Sequence, residues 1–429
     1  MHLPRRYRIL LSGVLIRQCL IVAGAVGLMS LSPPSRAEVF RDSSATLEAR
    51  NVYFNRDFRD GPGTQQSRRD EWAQGFILKV RSGYTEGVVG FGLDMTGMLG
   101  VRLDSSPDRS GSGLLPVHAD GRAASNYSKL GLTAKMKVSA TELKLGTLIP
   151  LLPTIRPNDG MILPQSFEGT LLTSEELKGL KLTAGRLDSV MYRNSTDRED
   201  IALNNKNNRF QAAKGEHFDL LGGDYASPAN GTFSYHVAQL EDVYRQHFVG
   251  WVFVRSLGPG TLNADLRWAS SRDQGAAHGG KIDNRAFDGM LGFAVGGHTL
   301  SAGYQRMSGA SAFPYLDGND AYLVNFAQIG DFAEQGERSW QVRHDYDFAQ
   351  AGIPGLTLMS RYIRGDNAQV NNIAGTGKEW ERNTEIRYLI QRGPFKDVAL
   401  RVRNATYRSS FSRDADETRV LVTYTLKIW

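Results

Sequence analysis

The last segment of this chain alternates strictly in character. Val420, Val422, Tyr424, Leu426 and Ile428 fall on one face of an extended strand, and Glu417, Arg419, Thr423, Thr425 and Lys427 fall on the other. A repeat of two suits a β-strand and not a helix, whose faces repeat every 3.6 residues. The same alternation recurs along most of the chain. After residue 37 no segment reaches the roughly 18–20 consecutive apolar residues that a spanning helix requires. Aromatic residues make up 10% of the chain, too many for a disordered, solvated one. The pattern predicts an all-β protein.

Candidate strands lie near 46–55, 72–82, 88–101, 128–138, 141–148 and 180–187, then near 216–225, 231–239, 247–254, 260–269, 287–295 and 299–307. The last six lie near 321–327, 338–347, 356–364, 382–391, 398–408 and 417–428, for about 18 in all. Links alternate in length. Ala226–Asn230 and Gly296-Gly297 suit tight turns on one rim, while 102–127, 149–179, 188–215, 270–286 and 365–381 suit long loops on the other. Aromatic residues such as Tyr53, Phe54, Trp72, Trp251, Trp268, Trp340 and Trp380 sit near strand ends, as in interfacial girdles.

In lipid every backbone N–H and C=O must be paired, and a β-structure manages this only by closing on itself. An even number of antiparallel strands with unequal loops is the pattern of a bacterial outer-membrane barrel. The expected fold is therefore a transmembrane antiparallel β-barrel of about 18 strands. Side chains alone do not fill so wide a lumen, so some loop must fold inward. The 149–179 link, punctuated by Pro150, Pro153, Pro157 and Pro164, is the expected constriction loop.

Residues 1–37 read as an export leader in front of an expected barrel spanning 38–429. Arg5, Arg6 and Arg8 make a basic start, an apolar stretch runs from Ile21 to Leu31, and Ser35-Arg36-Ala37 supplies a cleavage site. The formal charge of +6 falls to +1 without the leader, which removes any global case for nucleic-acid binding. Cys19, the sole cysteine, leaves as well, so disulfides, thiolate catalysis and cysteine-based zinc sites are excluded. No Gly-x-Ser-x-Gly, His-Glu-x-x-His or phosphate-loop motif is present, and no cofactor, metal or catalytic residue is expected.

Several strings point further. They include RNVYFNRD at 50–57, EWAQGF at 71–76, SGYTEGVVGFGLD at 82–94, LLPVHADGRA at 114–123 and LPQSFEG at 163–169. LEDVYRQHF at 240–248, PGLTLMSRYIRG at 354–365 and LRVRNATYR at 400–408 follow. In this order they resemble the OprD-type substrate-specific porins, the outer-membrane carboxylate channels of pseudomonads, over nearly the whole mature chain. The resemblance implies a passive channel for small carboxylates, including amino acids. It also implies a ladder of basic side chains on one wall of the pore and an electronegative patch opposite.

Alternation tests the ladder. With Val398, Leu400 and Val402 facing lipid, Arg401 and Arg403 face the lumen; the reverse would cost roughly 2–4 kcal/mol for each arginine at mid-membrane. Ile386, Tyr388 and Ile390 outward place Arg387 inward, and Arg419 lies on the inward face of the last strand. The resemblance adds Arg56 and Arg69 to the ladder, and Asp320 and Asp331, bracketing strand 321–327, to the electronegative patch. It also marks a departure. Met161 stands where members preferring basic amino acids place a basic residue in the constriction loop, with Arg156 nearby, which argues against an arginine-type preference. Expected partners are small carboxylate solutes, outer-membrane lipid and lipopolysaccharide, and the barrel assembly machinery, with no nucleic acid and a monomer or loose trimer. A general diffusion porin, and more remotely an outer-membrane hydrolase barrel, stay open as alternatives.

Overall fold

The computed structural model describes residues 41–429. The expected leader lies outside the described residues. Eighteen antiparallel strands form one sheet. The first nine are Ser44–Phe58, Arg68–Arg81, Gly90–Asp104, Asn126–Val138, Thr141–Leu148, Ser166–Leu177, Leu180–Met191, Phe218–Ser227 and Gly231–Leu240. The second nine are Tyr244–Leu257, Gly260–Asp273, Asp283–Val295, His298–Gly309, Arg338–Asp347, Leu356–Ala368, Gly377–Leu389, Ala399–Ser409 and Ala415–Lys427. Each strand pairs with its sequence neighbours, and the first pairs with the last from Thr46↔Lys427 to Phe58↔Ala415. The sheet has no free edge, so its backbone groups can sit in lipid.

Side chains sort as the alternation demands. On the last strand Val420, Tyr424 and Leu426 are exposed to the outside, whereas Glu417, Arg419 and Leu421 are buried inside. Trp429 lies just past the strand; its carbonyl accepts from the Ala45 N–H and its indole donates to the Ser43 hydroxyl at 2.9 Å. The out-of-phase terminal tryptophan thus fastens the end of the chain to the start of the first strand.

The expected count of 18 is met with a different membership. Residues 321–327 are not a strand. They belong to the long loop 310–337, which folds into the lumen and packs Ala321 and Leu323 against Phe248, Ala269, Ala286 and Met307. Its apolar residues read as a strand because they cover the inner wall. Conversely, Ser166–Leu177 is a strand inside what the sequence presents as the 149–179 loop, so the Pro-rich inward loop ends at residue 165. A bulge between Glu168 and Gly169 breaks the phase that would have revealed it.

Several loops fold into the lumen, and three of them cross there. Loop 149–165 lays Ile162 and Leu163 on Val52, Phe54 and Ile77 of the wall. Loop 192–217 forms a small ladder of its own between Ile201–Ala202 and Lys214–Gly215. It bridges to loop 310–337 through Leu203↔Leu316, and Pro157↔Asn319 joins the first loop to the third. Where these loops cross, Gly318 has a φ of +70°, and a Cβ there would come within 2.9 Å of the Gln165 and Tyr192 side chains. The turns at 178–179, 228–230 and 296–297 lie on the opposite rim, with the start of the first strand at Ser44 and the end of the last at Lys427.

Candidate functional site: a guanidinium row in the lumen

The register sets a row of arginines side by side on the closing wall. Arg56 of the first strand lies across from Glu417 of the last. The two oxygens of Glu417 are divided between neighbours: Arg56 Nε donates to one at 2.6 Å and Arg419 Nε to the other at 2.6 Å. Arg419 lies across from Arg403 on the next strand, and Arg403 across from Glu385 on the one after. Glu385 is shared in its turn, with Arg401 Nη2 at 2.6 Å and Arg403 Nε at 3.2 Å. Arg387 lies across from Arg401 near the turn rim and has no carboxylate partner among the described residues.

The wall therefore holds more guanidinium than carboxylate. Glu417 is fully buried while its partner Arg56 keeps one-fifth of its side chain exposed, and the Arg401 side chain is 40% exposed beside a half-buried Glu385. The acids thus orient the arginines without cancelling them, because each carboxylate is shared between two cations. Arg69 stands directly across from Arg56 and over the Phe58 ring, 5.5 Å from its centre. It touches the outer end of the row but makes no ion pair among the described residues.

Two further arginines continue the row. Arg343 and Arg361 face each other on the next strands. With Arg387, Arg401, Arg403 and Glu385 they line a lumen recess of about 440 Å³. Arg343 is held by Asp345 through two bonds of 2.7 Å, and Arg361 donates to Asn383 at 2.7 Å and to the Phe326 carbonyl at 3.3 Å. The alternation that found Arg401 would have found both: Trp340 and Val342 outward put Arg343 inward, and Tyr362 outward puts Arg361 inward.

The inward loops are pinned by charge. Glu381, fully buried on the wall, accepts from the backbone N–H groups of Gln328, Ile329 and Gly330 at 3.0, 3.2 and 2.6 Å. Arg50 binds Asp159 of loop 149–165 and donates to the Met161 carbonyl at 3.4 Å. Met161 itself is only 4% exposed and packs against the wall, so its side chain does not front the opening. Arg156 instead lies over the Tyr322 ring at 4.7 Å, with Arg267 on the same ring at 3.8 Å.

The two acids named from the resemblance differ. Asp320 is half-buried and accepts from Asn158 Nδ2 at 2.6 Å, and Asn158 in turn accepts from Arg193 at 2.6 Å, so three loops meet there. Burial holds the Asp320 carboxyl above its usual range despite Asn158 and the nearby arginines. Asp331 is enclosed by Lys206 at 2.7 Å, Arg209 at 2.8 Å and the Tyr315 hydroxyl at 2.6 Å. Burial would raise its carboxyl, but Lys206 and Arg209 outweigh that and hold it below the usual range. Asp331 thus ties loop 192–217 to loop 310–337 with its charge cancelled. Sequence patterning gave no hint of Lys206, Arg209 or Arg193, because loops carry no period.

Known proteins place this architecture. The family described as outer membrane porin, OprD family, matches residues 37–428. The porin-like protein GalP of Pseudomonas putida is 39% identical over 392 residues, covering 90% of this chain and 92% of its own. The crystal structure of Pseudomonas aeruginosa OccK5 (OpdH) is 53% identical, with a TM-score of 0.83 over 91% of this chain and 99% of its own. That of P. aeruginosa OpdK with vanillate is 43% identical, with a TM-score of 0.86 over 91% of this chain and all of its own. Closed barrel, inward loops and sequence agree: this chain belongs to the OprD family of outer-membrane porins and is a passive channel, not an enzyme.

Proposed function

We propose that the channel conducts small carboxylate-bearing solutes, amino acids among them, by handing the carboxylate along the guanidinium row. The observation that carries this is the sharing of Glu417 and Glu385 between successive arginines, so that among the described residues Arg56, Arg419, Arg403 and Arg401 outnumber their carboxylates along one wall and Arg387 has none. A narrow pore strips water from an ion, and a guanidinium fork replaces it with paired N–H donors. Several comparable shallow sites let the ion move on, whereas one deep site would trap it. OpdK, solved with vanillate, is a relative whose ligand carries such a carboxylate.

Of the two proposed acids, Asp320 is the one left to receive an ammonium group; Asp331 already has two cations. Because Met161 is turned into the wall, it does not argue for or against basic substrates, and the nearby Arg156 lies over the Tyr322 ring. The filled lumen favours a specific channel over a general diffusion porin. We place lipid and lipopolysaccharide around the barrel, with the assembly machinery delivering it after removal of residues 1–37. The deciding experiment is planar-bilayer conductance of the mature chain, scanned with candidate carboxylates, with and without Arg401→Ala/Arg403→Ala. Small channels blocked by one carboxylate, with the block lost in the variant, support the reading. Large steps indifferent to solute and mutation would overturn the specificity.

A further inference from the structure

The outside of the barrel carries a second basic row that the pore does not use. On five consecutive strands an outward aromatic residue is followed, two residues nearer the loop rim, by a cation. The pairs are Phe287 with Arg285, Tyr304 with Arg306, Trp340 with Arg338, Tyr362 with Arg364, and Trp380 with Lys378. Two residues of strand span about 7 Å. Aromatic side chains at the water boundary mark the edge of the hydrocarbon, so each cation stands one headgroup layer above that edge.

These cations are short of partners within the protein. Arg306 and Arg338 lie directly across from each other. Like charges in that position repel unless an anion lies between them. Arg338 is bound to Asp366 at 3.0 Å, but Arg285, Arg306, Arg364 and Lys378 have no side-chain ion pair among the described residues. Arg364 sits between Trp340 and Trp380 on the neighbouring strands. A second opposed pair, Arg245 and Arg272, extends the row by two strands.

The pattern is not a generic property of the girdle. On the first two strands the outward Tyr53 and Trp72 face each other in the same way, yet the residues one step towards the loops are Asn55 and Asp70. At this level the five strands are therefore cationic, whereas the first two strands carry Asn55 and Asp70, the latter flanked by Arg68 and Arg109. Tightly spaced arginines on a fixed sheet match an anion with several oxygens, which a guanidinium binds through two parallel N–H groups.

We propose that this face, from Asp283–Val295 to Gly377–Leu389, is a binding surface for the phosphorylated headgroups of outer-leaflet lipopolysaccharide. The inference rests on the outer-membrane location and is independent of the pore. The phosphates lie between Arg306, Arg338 and Arg364 while the acyl chains run down over Tyr304, Trp340 and Tyr362. The arrangement neutralises the opposed arginines and fixes one side of the barrel to the outer leaflet.

The test titrates the folded, detergent-purified mature chain with doubly phosphorylated lipid A and with its dephosphorylated form, reading bound lipid by native mass spectrometry. Three proteins are compared: wild type, Arg306→Gln/Arg338→Gln/Arg364→Gln, and Asp70→Asn on the other side. Each charge-assisted bond contributes about tenfold or more. The triple variant is therefore expected to bind phosphorylated lipid A at least about tenfold more weakly, with Asp70→Asn unchanged and the dephosphorylated lipid bound weakly by all three. Equal affinity of wild type and triple variant overturns the proposal, as does equal affinity for both lipids. Single-channel conductance of the triple variant should match wild type, so a failure of the pore reading would appear there and not in lipid binding.

Discussion

Arg56 and Glu417 face each other across the seam where the first strand closes on the last, with Nε 2.6 Å from the carboxylate. Closure of the barrel and construction of the basic row are therefore one contact. Replacing Glu417 with Gln should leave Arg56 and Arg419 without their shared counter-charge. Breaking a buried pair in this way costs roughly 3–5 kcal/mol, so thermal unfolding should fall by several degrees. The variant that folds should also be more anion-selective, shifting the reversal potential in a salt gradient towards that of the anion. An unchanged reversal potential would mean that Glu417 does not set the field of the pore.

Glu381 predicts a gating change. Its carboxylate collects three backbone N–H groups at Gln328, Ile329 and Gly330 and holds loop 310–337 to the wall. Glu381→Ala removes all three bonds at once, each a charge-assisted contact of about 1.5–3 kcal/mol. Recordings should show a larger or flickering conductance in place of a steady small one. A Glu381→Ala trace as quiet as that of wild type would show that the loop is held by its apolar contacts alone.

The strand count was legible because a closed barrel in lipid leaves the alternation no freedom. Arg401, Arg403 and Arg387 could be placed inward from their apolar neighbours, and the same reading extends to Arg343 and Arg361. It failed where the lumen itself is apolar. Ala321 and Leu323 alternate like a strand because they pack on Ala269 and Met307, while the bulge at Gly169 hid a real one. The pairing of Asp331 with Lys206 and Arg209 was out of reach, since a contact between residues more than 120 positions apart leaves no local trace.

A pH effect follows from Glu337, which lies where loop 310–337 meets the wall. Burial, reinforced by the neighbouring Glu379, holds the Glu337 carboxyl well above its usual range. An acid whose folded value is raised keeps its proton in the folded state after the unfolded chain has lost it. Stability then declines as pH rises above about 4.5 and levels off past the folded value. Glu337→Gln mimics the protonated form and does not titrate. At pH 8 the variant should be more stable than wild type by on the order of 1 kcal/mol or more, and at pH 4 the two should match. Equal melting curves at both values would show that the site relaxes around the charge.

The two ends of the row should be felt from opposite chambers. Arg56 lies towards the loop rim and Arg387 close to the turn rim, with Arg419, Arg403 and Arg401 between. Long loops face the exterior and short turns the periplasm in such barrels. A carboxylate arriving from outside meets Arg56 first and one arriving from the periplasm meets Arg387 first. Arg56→Ala should therefore slow block by external carboxylate, and Arg387→Ala should slow block from the periplasmic side, each by a few-fold at low salt. The screening length shrinks from about 10 Å at 0.1 M to about 3 Å at 1 M, so both effects should fade in concentrated salt if they arise from steering. Single-channel block measured separately from each chamber decides the matter. If either substitution slowed block equally from both sides, the arginines would act as one site and the solute would not be passed along them.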